Sequence, residues 1–227
     1  MSTERRTLIA DAAIDLVAAA GLRGLTHRAV DGAARLPAGS TSYYFRTRTA
    51  LIGACYQRLA ELDLDDLAED GPSASTPSAS TSSASTSSAS TPSASTPSAS
   101  TPSASTPFGR DEAAAALGGL LLRWLTVGRA RQLARFELSL EAARNPELEA
   151  DLHRAGQGAR SRAAAMLAGL GADRPREAAE LLAAWTDGLL YDRLAGALAR
   201  SRPTPDPAEL TVVARRMIDA VLAPEAD

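Results

Sequence analysis

The sequence predicts an all-α fold, with an N-terminal three-helix head joined to a C-terminal helical bundle. Three observations carry this. Apolar residues recur at helical spacing on both sides of a low-complexity tract, helix start and stop signals follow one another in order, and no segment alternates in the manner of a strand. In the first helix Leu8, Ile9, Ala12, Ala13, Leu16, Val17 and Ala20 share a face, Asp11 and Asp15 lie on another, and Gly21 ends the run. Thr26 is a good N-cap for a second helix over 27–34. A short third helix fits 38–44, and a fourth begins near Thr47. The acidic end of that fourth helix opposes the helix dipole and is expected to fray.

Further helices are expected over 112–127, 129–144, 146–169, 175–199 and 208–222. Asn145-Pro146 reads as an N-cap followed by proline at the first helical position. Asp206-Pro207-Ala208-Glu209 resembles a capping box.

The chain has 227 residues, 45% of them hydrophobic, which is enough for a packed core in one or two domains. No apolar run reaches the roughly 20 residues of a membrane span, and Asp11 and Asp15 interrupt the N-terminal apolar stretch, so no membrane and no secretory signal is expected. One cysteine, Cys55, excludes an intramolecular disulfide framework or a cysteine-based zinc site. The expected compartment is the reduced cytoplasm. No phosphate-cradling glycine loop or paired histidine spacing appears, so neither a metal nor another cofactor is expected. Cys55 and His153 read as a buried thiol and a surface imidazole, not as a catalytic pair.

Residues 72–106 are seven tandem pentads, five PSAST and two SSAST. They lack charge, aromatic rings and any aliphatic larger than alanine, and disorder is the expectation. The domain boundaries expected are 1–58 for the head, 59–71 for a continuation of its last helix, 72–107 for the repeat insertion and 108–227 for the bundle. The insertion is expected to loop out between the fourth and fifth helices, because long loops add little closure entropy.

Every one of the 24 basic residues is arginine, and the net charge is −3, but the charge is uneven. Residues 1–58 carry eight arginines against four acids, whereas 59–71 carry six acids and no base. A basic head on an acidic chain is an electrostatic footprint for nucleic acid. Within that head, two short helices joined by Arg35-Leu36-Pro37 form a helix-turn-helix, whose second helix would enter the DNA major groove. That helix carries Ala38, Gly39, Ser40, Thr41 and Ser42, small residues that permit close approach. Tyr43 and Tyr44 close it, and Arg46 and Arg48 follow at the start of the next helix, where arginines and free N–H groups can hold phosphate.

The segment GLRGLTHRAVDGAARLPAGSTSYYFRTRTALI resembles the DNA-binding signature of TetR-type transcriptional regulators, over about residues 5–58. By that resemblance the start of the second helix, with Thr26 and His27, lies at the DNA, and Thr26 contacts phosphate. Arg28 reaches a base edge; Ala38, Gly39, Ser40 and Thr41 face the groove. Tyr43, Arg46 and Arg48 grip the backbone, with Tyr44 beside them, and Phe45 is core. The chain departs from the family pattern at Ser42, where most members carry tyrosine, and at Ala38, where many carry lysine or glutamine. Readout then rests more on Arg28 and on DNA shape.

The resemblance further implies a homodimer on a palindromic double-stranded operator, a small-molecule effector, and repression relieved by that effector. The last two long helices would form the dimer interface, with Leu182, Trp185, Leu189, Val213 and Met217 as candidates. Trp124, Phe136 and Trp185 are candidate walls of an apolar ligand pocket. The small side chains at 38–42 also leave open a helix-turn-helix scaffold that binds a ligand or partner without DNA. No titratable cluster in the bundle suggests an enzyme.

Overall fold

A computed structural model describes residues 2–69 and 109–223. Among them are nine α-helices: α1 (Ser2–Gly24), α2 (His27–Ala33), α3 (Ser40–Tyr44), α4 (Arg48–Glu69), α5 (Arg110–Leu125), α6 (Arg129–Ala142), α7 (Glu149–Gly169), α8 (Pro175–Leu194) and α9 (Pro207–Val221). A 3₁₀ turn, Pro146–Leu148, precedes α7. No strand occurs among the described residues. The PSAST repeats, with the disorder and looping-out expected of them, lie outside the described residues.

Local signals set most helix ends. Gly21 breaks the α1 helical path with a left-handed φ of 64°, and the Thr26 hydroxyl accepts from Ala29 N–H at 3.1 Å to cap α2. Asn145 caps the 3₁₀ turn through Glu147 N–H at 3.2 Å, and Asp206 caps α9 through Ala208 N–H at 3.0 Å. The expected capping box at 206–209 is not formed, because Glu209 is paired with Arg193 on α8. Helix α8 ends at Leu194, short of the expected 199. Helix α3 starts at Ser40 instead of 38, because Gly39 is left-handed with φ 90°.

Helix α2 ends in a Schellman turn, with Arg35 N–H donating to Gly32 C=O and Leu36 N–H to Asp31 C=O. Arg35 takes the left-handed position at φ 53°, which glycine usually fills.

The head and the bundle share a core. Ile9, Ala13, Val17, Val30, Phe45, Leu51, Ile52 and Tyr56 pack with Ala134, Leu138 and Ala142 of α6 and with Leu148. The expected head boundary at 58 falls inside α4, whose first half belongs to this core. Tyr56 donates its hydroxyl to Leu138 C=O at 2.7 Å, and burial, with Glu141 beside it, pushes the phenol up to about 12. Burial likewise pushes the Cys55 thiol up to about 12, so it is an unreactive apolar filler.

A second core joins α5, α8 and α9 through Leu120, Leu121, Trp124, Leu190, Leu194, Leu210 and Ala214. The α5–α9 approach depends on Gly118: a Cβ there would sit 2.9 Å from the Thr211 backbone. Gly118→Ala is therefore expected to force the two helices apart and destabilise the protein by about 1–3 kcal/mol. Urea unfolding of the variant checks this, with a lowered midpoint at unchanged m-value as the result.

The acidic end of α4 does not fray within the described residues, contrary to the expectation from the helix dipole. Arginines from α5 and α6 neutralise it: Asp63 pairs with Arg135, Asp66 with Arg131, and Glu69 with Arg123 at 2.5 Å. Asp66 also accepts the indole N–H of Trp124 at 2.8 Å. The unfavourable dipole term is worth only tenths of a kcal/mol to about 1 kcal/mol, less than charge-assisted bonds in a partly buried setting.

Candidate functional site

The candidate DNA-reading surface is built around a buried carboxylate. Asp31 lies in the middle of α2, and its Oδ2 accepts from Gly39 N–H at 2.8 Å. Its Oδ1 accepts from Thr41 N–H at 2.7 Å and from the Thr41 hydroxyl at 2.6 Å. One side chain thereby caps the neighbouring helix and fixes α3 against α2. Desolvation pushes the Asp31 carboxyl up, but the hydrogen bonds from Thr41 and Gly39 outweigh it and hold the group below its ordinary value.

This arrangement corrects part of the expected site. Thr41 is 0% exposed, so it does not face a groove; its hydroxyl is spent on Asp31. His27 Nε2–H donates to Phe45 C=O at 2.7 Å and ties α2 to the end of α3. Arg48 donates to Glu141 at 3.1 Å and to Leu22 C=O at 3.0 Å, which fastens the head to α6 and takes this guanidinium away from a phosphate grip. Tyr44 is half-buried; its ring lies 5.8 Å from the Arg6 guanidinium and edge-on to Tyr43.

The remaining candidates are at the surface. Thr26, Arg28, Ala38, Gly39 and Arg46 are exposed, Ser40 is partly so, and Tyr43 is 80% exposed. Arg28 and Arg46 form no hydrogen bond or ion pair among the described residues. The outer face of the α2–α3 unit thus offers two uncommitted arginines, an exposed phenol and a stretch of small residues.

A cavity of about 650 Å³ lies in the bundle, walled by α4, α5, α6, α7 and α8. Leu59, Leu67, Leu117, Leu120, Trp124 and Leu152 supply apolar wall, while Asp63, Gln132, Arg135, Thr186 and Asp187 supply polar groups. The volume and the mixed lining suit a drug-sized molecule. Burial pushes the Asp63 carboxyl above its ordinary value, and Arg135 and Arg131 pull part of that back. Desolvation within the bundle also raises Asp187, despite Arg135 and Arg160 nearby, although the residue as a whole is exposed.

Of the three expected pocket walls, only Trp124 lines this cavity. Phe136 stacks edge-on against Tyr191 at 5.5 Å, and Trp185 is turned outward, 40% exposed. Leu182 and Met217 are buried within the protomer, so they offer no surface to a partner; Leu189 and Val213 are partly buried against core. The apolar side chains that α8 and α9 do expose are Leu181, Trp185, Tyr191 and Val212.

The polar lining was missed from the sequence. The available signal was the placement of Gln132, Arg135, Thr186 and Asp187 on otherwise core-facing helices. No group of three or more potential metal ligands is present among the described residues, and no helix there is long and apolar enough to cross a membrane.

A family model described as the tetracyclin repressor-like C-terminal domain matches residues 108–224. The chain belongs to the TetR family. The solved structures agree in fold. The multidrug binding protein EbrR, crystallised with imidazole, is 26% identical over 99% of this chain and 93% of its own, with a TM-score of 0.60. A TetR-family member from Streptomyces coelicolor A3 is 25% identical over 97% of this chain and 99% of its own, with a TM-score of 0.61. A transcriptional regulator from Rhodococcus sp. Rha1 is 22% identical over 98% and 96%, with a TM-score of 0.64. No curated protein matches the sequence. As a TetR-family chain, this protein is a transcription regulator and not an enzyme.

Proposed function

We propose that this TetR-family chain is a homodimeric repressor that holds a palindromic operator through its two heads and leaves it when a small molecule fills the bundle cavity. The observation that carries the reading is the pairing of a basic, uncommitted α2–α3 surface with a cavity whose wall includes α4. Helix α4 begins beside the DNA-reading helix and ends at the cavity, so a ligand pressing on its second half acts on the head. Arg28 reads a base edge, and Tyr43, Thr26 and Arg46 hold phosphates.

Two heads per operator require a dimer, since half-sites lie about one DNA turn apart. The exposed Leu181 and Trp185 on α8, with Val212 on α9, fit that interface better than the buried Leu182 and Met217. A regulator of this kind acts on DNA in the cytoplasm.

The coupling between cavity and operator is expected at about 1–3 kcal/mol. Salt dependence tests the phosphate grip. With Arg28 and Arg46 engaged on each head, four cations per dimer, log affinity should fall against log salt with a slope of about −3 to −4. A slope near zero would exclude the grip.

A further inference from the structure

We propose that the bundle cavity takes an organic cation with an aromatic or other apolar body, its N–H donors lodged between Asp63 and Asp187. The inference rests on the reading of this cavity as the effector site.

Asp63, on α4, is 4% exposed, and Arg135 occupies one of its oxygens. The other, Oδ1, has no hydrogen-bond partner among the described residues. Asp187, on α8, lines the same cavity and forms no hydrogen bond or ion pair among the described residues. The two carboxyls repel each other, and burial disfavours the charge on both. A buried oxygen without a donor, beside an exposed carboxylate that has no ion pair among the described residues, suits a cationic donor.

Two arginines line the cavity, with Glu180 as a third carboxylate; Arg160 is exposed and donates to Gly156 C=O at 3.2 Å. Arg135 gives its Nε–H to Gln132 Oε1 at 2.9 Å and an Nη to Asp63, and it lies 6.0 Å from the Trp124 ring. Its charge is already matched. Gln132 Nε2, fully buried and without a partner among the described residues, is left to donate to a hydroxyl or carbonyl on the same ligand. Trp124, beside these groups, offers an aromatic face to a flat cation.

The test uses the full chain and three fluorescent or calorimetric probes: ethidium, a cation whose ring amines carry the N–H donors; phenanthridine, its smaller uncharged parent ring; and the anion anilinonaphthalene sulfonate. Ethidium should bind tightest. Asp187→Asn should weaken ethidium roughly tenfold or more while leaving phenanthridine unchanged. Asp187 makes no structural bond, so the variant should fold as the parent does, which circular dichroism checks. Asp63→Asn should weaken ethidium as well.

Equal ethidium affinity in Asp187→Asn, tighter binding of the anion, or no binding of ethidium would overturn the proposal. Operator release is read separately, with Asp187→Asn as the control for intercalation. Release by phenanthridine or the anion alone would keep the effector reading and sink the cation. Asp187-dependent ethidium binding without release would do the reverse.

Discussion

Arg28→Ala is expected to weaken operator binding at least tenfold per dimer and to relax sequence preference at one position in each half-site. Arg28 is the second residue of α2, is exposed, and has no partner among the described residues, so its guanidinium is available to a base edge. One bidentate contact to guanine discriminates by about 1–3 kcal/mol, and a symmetric dimer loses two. Tyr43→Ala should behave differently. Its phenol is exposed at the end of α3, and on the proposed reading it holds a phosphate, so the loss should be similar for every DNA sequence. Competition binding against operator and random DNA separates the two patterns. Equal loss on both DNAs for Arg28→Ala would remove it from the base-reading role.

Asp31→Ala should unfold the reading unit before it affects anything else. The substitution removes the acceptor of three hydrogen bonds and leaves the buried Thr41 N–H and hydroxyl, and the Gly39 N–H, without partners. The expected cost is about 3 kcal/mol, from a charged acceptor and the orphaned donors together. For a chain of this size that lowers the melting temperature by about 6–12 °C. Operator affinity should fall with it, because Gly39, Ser40 and Tyr43 lose their placement. The same carboxylate gives an acid limit. Its folded value lies below the ordinary 3.8, so its contribution is complete above that value and is lost as pH falls through the lower folded one. Asp31→Ala should therefore show a flatter loss of stability below pH 3.8 than the parent. Asp63 carries the opposite sign, since burial raises it and protonation relieves the folded state.

The parts of the molecule that were legible in the sequence are those set by near neighbours. Thr26, Asn145 and Asp206 cap helices through amides two or three residues away, and Gly21 breaks α1 by its own backbone freedom. The head motif was legible because its chemistry is compressed into one short stretch. Asp31 escaped notice because its partners lie 8 and 10 residues on, across a turn, where helical periodicity carries no information.

The acidic run at the end of α4 was read alone and expected to fray. Its partners, Arg123, Arg131 and Arg135, come more than fifty residues later. Aromatic content singled out Trp124, Phe136 and Trp185 as pocket walls, but composition does not say which side of a helix meets a cavity. Leu181 and Leu182 make the same point for the dimer surface: they are adjacent in sequence, and only the first is exposed.

The central claim is that the head reads a palindrome. Purified protein should be mixed with genomic DNA fragments at moderate salt and the retained fragments sequenced, with Arg28→Ala and Tyr43→Ala in parallel. The account predicts enrichment of a palindromic sequence by the parent chain, with both variants weakened and Arg28→Ala less selective. No enrichment of any sequence by the parent chain would contradict it, and would leave the α2–α3 surface a scaffold without an operator.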